Sequence, residues 1–208
     1  MNINPNKLTI TQLFAIPNEQ FIVPSYQRRY AWKENQYKAL FDDIQMLKAN
    51  DGHLFGTVIL QVFDQSADLN KPELVDGQQR MTSLVILLKA LESVFQERGE
   101  QSLADDTSKL ILCRGLDGKK IPKVKSGDLD NPDLEKLILH REHEDLTNKN
   151  LGEAYLKYYS LLQEMNTDEV KTFFSKLTSV AVVIRLDVAK PQDAYKLFET
   201  INNRGLQL

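Results

Sequence analysis

The sequence predicts an α/β to α+β fold with a small mixed sheet and a helical insertion. Three observations carry that expectation. Gly56–Phe63 and Ser179–Asp187 are apolar and β-branched, as buried strands are. Around them, apolar residues recur at helical spacing over several stretches. Strands interleaved with helices, with a helix-rich stretch before the last strand, specify helices packed on a mixed sheet. The 208 residues are 42% hydrophobic and 26% charged, too apolar for general disorder and long enough to bury a core.

The elements follow in order. Thr9 or Thr11 can cap a short turn of helix carrying Leu13 and Phe14. Phe21–Val23 reads as a short strand, and Pro24 sets an extended exit. Tyr37, Leu40, Phe41, Ile44 and Leu47 form one face of a helix from Glu34 to about Asn50. The strand at Gly56–Phe63 leads through a polar loop to a second strand, Glu73–Val75. From Gln78 to Glu97 the apolar stripe is wide enough for a central helix. Arg98–Asn131 is the least regular part and reads as the start of an insertion. Two or three helices are expected between Pro132 and Leu177, with Tyr155, Tyr158 and Tyr159 as a core stripe. After the strand at Ser179–Asp187, Pro191 opens a last helix and Gly205 ends it. Residues 1–97 and 178–208 thus form a core, and residues 98–177 a mainly helical insertion. A chain stopping three residues past Gly205 reads as a fragment.

Composition limits the function. Net charge is −3, so contact with DNA requires a local basic surface. The run Lys119, Lys120, Lys123 and Lys125 reads as a solvated loop or a contact to a nucleic-acid backbone. A single cysteine, Cys113, excludes an internal disulfide framework and a Cys-rich zinc site. No membrane span and no N-terminal signal pattern are visible, so a cytoplasmic protein is expected. His140 and His143 lie among acids on a charged helix end and lack a ligand set.

Three clusters carry chemistry. In LVDGQQRMTSL, a strand ends at Asp76, Gly77 permits a tight turn, and a helix begins at once. Such a turn aims backbone N–H groups and the positive end of the helix dipole at one spot. Arg80 adds a donor fork, Gln78 and Gln79 add amides, and Thr82 adds a hydroxyl. Asp76 is the one carboxylate there, placed to bind Mg²⁺ or orient water. The segment reads as a phosphate-handling site, or equally as a plain Asp-Gly turn with an Asp76–Arg80 ion pair. In SYQRRYAW, Arg28 and Arg29 sit between Tyr26, Tyr30 and Trp32, with Gln27 alongside. That mixture suits stacking on bases and holding phosphates. It also suits a loop whose aromatics plug the core. Read alone, Asn202, Asn203 and Arg204 before Gly205 make a helix C-cap. No Walker or dinucleotide fingerprint occurs.

Taken in order, YQRRYAW, VDGQQRMTSL and FETINNRG resemble the N-terminal domain of GmrSD-type restriction endonucleases, ParB-like nuclease domain proteins with a DGQQR motif. The resemblance implies a ParB/sulfiredoxin-like core with a helical insertion. It implies that Asp76, Gly77, Gln78, Gln79 and Arg80 bind and hydrolyse a nucleoside triphosphate. Asp76, Gln79 and Arg80 would be catalytic, with Asp76 on Mg²⁺. Tyr26, Gln27, Arg28, Arg29, Gly77, Gln78 and Thr82 would contact nucleotide, joined by Asn202, Asn203 and Arg204 from the far end of the chain. Family members act against phage or foreign DNA, including modified DNA, and commonly carry a C-terminal HNH-type nuclease half. No His-Asn-His arrangement occurs in this chain. The function expected is an NTP-hydrolysing regulatory domain of a restriction endonuclease. The alternatives are a non-enzymatic DNA- or nucleotide-sensing module and a ParB-like DNA nickase.

Overall fold

The computed structural model describes residues 4–48, 54–63, 69–115 and 117–203, with the side chains of residues 4 and 201–203 outside the description. Among the described residues the main sheet has six strands: β1 (Asn4–Thr9), β2 (Phe21–Ile22), β3 (Leu54–Gln61), β4 (Glu73–Asp76), β7 (Val124–Lys125) and β8 (Val182–Val188). Across the sheet they run β1-β8-β3-β4-β2-β7. β8 is parallel to β3 and antiparallel to β1, while β3 and β4 are antiparallel. β5 (Leu112–Arg114) and β6 (Lys120–Pro122) form a separate antiparallel pair. The expected mixed α/β architecture is present.

Alternation along the strands gives the sheet two covered faces. On β3, Val58 and Leu60 join the large hydrophobic cluster, while Ile59 between them joins a small one with Leu186, Ala194 and Leu197. The small cluster lies under the last helix, α8 (Pro191–Asn203), which packs on β3, β4 and β8. The large cluster is organised by α3 (Gln78–Glu97), a helix buried from Met81 to Phe95. Burial on all sides explains why its stripe is wider than that of a surface helix. α3 packs against α4 (Gln101–Ile111) and α6 (Lys149–Gln163). Leu134, Tyr155 and Phe173, from the 98–177 stretch, share one cluster with Phe21 and Leu74 of the sheet. With α6, α5 (Asn131–His140) and α7 (Thr167–Ser175) make three helices where two or three were expected between Pro132 and Leu177.

Several boundaries differ from expectation. Asn4–Thr9 is an edge strand that its polar sequence did not announce. Its backbone pairs antiparallel with β8, and an edge position tolerates Pro5. Thr9, not Thr11, caps the short helix α1 (Ile10–Leu13): its hydroxyl accepts from the Gln12 N–H and the Gln12 amide accepts from its own. α2 (Glu34–Met46) ends before the expected Asn50. Arg98–Asn131 is more regular than it reads, because α4 buries Ala104, Thr107, Leu110 and Ile111 along one side. A wide π-helical turn at Lys176–Val180 delays β8 to Val182. The expected stop at Gly205 lies outside the described residues. Among the described residues, no helix is long and apolar enough to cross a membrane.

The Lys119–Lys125 run is not solvated throughout, as a charged loop would be. Lys123 is fully buried, and its ammonium donates to the Ile16 carbonyl oxygen. Desolvation holds it below the usual lysine range. It therefore contributes nothing to a basic surface, whereas Lys119 and Lys120 are exposed.

Candidate nucleotide site

The site is built where β4 turns into α3. Gly77 has φ +91°, the left-handed region, and a Cβ there would stand 3.2 Å from the Thr57 carbonyl oxygen. Only glycine makes this turn without strain or crowding. α3 starts immediately, and among the described residues no side chain caps it at Gly77, so its first N–H groups and dipole are directed outward. They meet a polar cleft of about 460 Å³ whose walls come from three parts of the chain. Asp76 to Arg80 form the turn, Gln27, Arg28 and Trp32 form the facing loop, and Phe198 of α8 closes the side.

Arg80 is seated by a second glycine. Gly56, at φ +95°, lies beneath the guanidinium, and a Cβ there would come within 2.8 Å of Arg80 Nη1. Nη1 also points at the Thr57 carbonyl oxygen, 3.4 Å away. Burial lowers the affinity of this guanidinium for its proton, and the neighbouring Asp76 charge acts the other way. A guanidinium stays charged through such shifts, so Arg80 presents a fixed cation beside one carboxylate. Sequence reading overlooked Gly56. The available signal is a glycine at the start of a β-branched strand, which marks close approach of another group.

The facing loop is tied at several points. The Gln79 side chain accepts from the Ala31 N–H at 2.8 Å and donates to the Arg29 carbonyl oxygen at 3.1 Å. Gln27 donates to the carbonyl oxygens of Leu74 and Val75 on β4. Tyr30 enters the core, with its hydroxyl 2.8 Å from Ser83 Oγ. Arg29 pairs with the buried carboxylate of Asp130 at 2.6 Å, and that carboxylate also accepts from the Tyr30 N–H and the Asn148 amide. Arg28 is left exposed, and neither it nor Gln78 has a side-chain partner among the described residues.

Two further clefts adjoin the first. One, of about 250 Å³, lies between the loop and the Ser126–Asp130 segment and includes Arg29, Gln78 and Thr82. The other, of about 460 Å³, is bordered by Tyr26, Tyr195 and Phe198. Arg28 borders all three. Asp76, Gly77, Gln78, Gln79, Arg80, Gln27 and Arg28 thus converge, with Arg29, Thr82 and Tyr26 in the adjoining clefts. Asn202 and Asn203 are the last helical positions of α8. Their side chains, and Arg204 altogether, lie outside the described residues, so their expected role in nucleotide contact does too. Phe198, read from sequence as a core residue, also reaches the cleft wall.

No curated protein matches the chain. The family model described as the GmrSD restriction endonuclease N-terminal domain matches residues 10–208, a span that includes all three motifs and the whole of this site. The chain belongs to the GmrSD restriction endonuclease N-terminal domain family.

Proposed function

We propose that this chain is a nucleotide-binding, NTP-hydrolysing regulatory domain of a DNA restriction endonuclease in phage defence. The observation that supports it is the polar cleft where the α3 N-terminus, Arg28, Arg80 and Asp76 meet. Phosphates bind at the helix N-terminus, where unpaired N–H groups and the dipole favour anions. Arg28 closes on them from the loop as a free donor fork. Arg80, seated on Gly56, faces the charge that develops during phosphoryl transfer without having to reorganise. Gln78 has the amide available to orient water. Gln79 acts through the loop, holding the Arg29 and Ala31 backbone so that Arg28 keeps its station. Gln27, Arg29, Thr82 and Tyr26 form the surrounding walls.

The donor set fits Mg²⁺. That ion takes one or two carboxylates and completes its shell with water and phosphate oxygens, and Asp76 is one carboxylate beside a phosphate-sized opening. Bound on Asp76, Mg²⁺ would supply charge neutralisation on the phosphoryl group. Coupling of turnover to an HNH-type nuclease half, and through it to modified or foreign DNA, completes the proposal.

The test is calorimetric titration with each NTP and Mg²⁺, followed by phosphate release. Arg28→Ala should weaken binding about tenfold or more, as loss of a charge-assisted bond does. Its unfolding free energy should stay within about 0.5 kcal/mol of the unsubstituted chain, because Arg28 is exposed and unpaired. Unchanged affinity in the variant overturns the site. A second reading is a nucleotide switch without turnover. The commitment of Gln79 to the loop favours it, and binding without released phosphate would select it.

A further inference from the structure

Tyr26 is 78% exposed and Tyr195 is 61% exposed, although both are large aromatic residues. Single exposed aromatics are ordinary on protein surfaces. These two come from opposite ends of the chain and border the same cleft, of about 460 Å³, with Phe198 and Val75 completing its apolar wall. Neither ring is spent on the core. The cleft also shares Gln27, Arg28 and Phe198 with the polar cleft at the α3 N-terminus. Along β4 the division is one residue wide: Val75 lines the aromatic compartment and Asp76 the polar one. Arg28 stands between them. A ligand spanning both compartments carries a flat, stackable group at one end and anionic oxygens at the other.

We propose that the Tyr26–Tyr195 cleft is the nucleobase subsite of a nucleoside triphosphate whose phosphates lie at the α3 N-terminus, an inference that rests on the nucleotide reading above. Aromatic side chains present a face on which any base stacks, and Arg28 is placed to add a cation–π contact. At the rim, Gln61 offers an amide with no side-chain partner among the described residues, able to read a base edge by donating and accepting together. This arrangement makes affinity for NTP exceed affinity for the bare polyphosphate.

The experiment titrates the chain with ATP, GTP, CTP and UTP, with inorganic tripolyphosphate and with a single-stranded DNA oligonucleotide, all with Mg²⁺, for the unsubstituted protein, Tyr195→Ala and Tyr195→Phe. Stacking on one aromatic residue corresponds to roughly a five- to hundredfold change in affinity. The unsubstituted chain should therefore bind at least one NTP that much more tightly than tripolyphosphate. Tyr195→Ala should bring the NTP down toward the tripolyphosphate value while leaving tripolyphosphate unchanged, and Tyr195→Phe should keep most of the preference. A folded Tyr195→Ala protein with unchanged NTP affinity overturns the subsite, as does equal loss for both ligands. Equal binding of NTP and tripolyphosphate by the unsubstituted chain overturns the subsite but leaves the phosphate site standing. Binding of neither removes both readings. A loss by Tyr195→Ala confined to a single-stranded oligonucleotide overturns it in favour of a DNA base.

Discussion

Two basic segments of this protein look alike in sequence and do opposite things. Pro24–Lys33 carries Arg28, Arg29 and Lys33 among aromatics, and Lys119–Lys125 carries four lysines without an acid. In the second segment Lys123 turns inward to a backbone carbonyl and becomes part of the core. In the first, Asp130 and Asn150 take up Arg29 and Lys33, and Arg28 is the one of the three without a side-chain partner among the described residues. A charge run therefore does not reveal which of its charges are available. Partners far along the chain decide that, and here the available one stands at the phosphate turn.

The comparison breaks most sharply at Lys123. Lys123→Ala should cost about 3 kcal/mol in denaturant unfolding, chiefly from the void, because the Ile16 carbonyl oxygen still accepts from the Glu19 N–H. Lys123→Met, which refills the volume, should recover most of that, and both folded variants should keep nucleotide affinity. If Lys123→Ala is as stable as the parent, the ammonium is not a structural element. Asp130→Ala comes next. It strands the Tyr30 N–H and frees Arg29, so it should cost about 2 kcal/mol. It should also weaken nucleotide binding, although Asp130 does not border the polar cleft. Stability lost without any change in titration would separate the loop from the site.

The smallest effect is alkaline. Burial pushes the Tyr30 phenol above its ordinary value, against the pull of the Ser83 hydrogen bond. The folded protein then keeps a proton that the unfolded chain releases near about pH 10, so this contribution is complete below that pH and is lost as pH rises through the folded value. Melting temperature should fall between about pH 9 and about pH 11, less steeply in Tyr30→Phe. Equal slopes in the two proteins would mean that Tyr30 is not held away from water.

Much of the fold was legible because it is written in local periodicity. α3 runs from Gln78 to Glu97 as its apolar stripe requires, and Gly77 makes the turn before it. The turn residues of the candidate site were legible for the same reason, being contiguous. β1 was not, since a polar edge strand is defined by the strand it pairs with. The slot that Gly56 makes for Arg80 was equally invisible, because it depends on two glycines with positive φ brought to one place from β3 and the β4–α3 turn. The helices, the main strands and the glycine turn that opens α3 are each specified by side-chain pattern and backbone preference within a few residues. Which arginine is free, which lysine is buried, and that Tyr26 and Tyr195 border one cleft are set by the packing of distant segments. Those outcomes depend on contacts between residues roughly a hundred or more positions apart, such as Arg29 with Asp130 and Lys123 with Ile16, which no local pattern encodes.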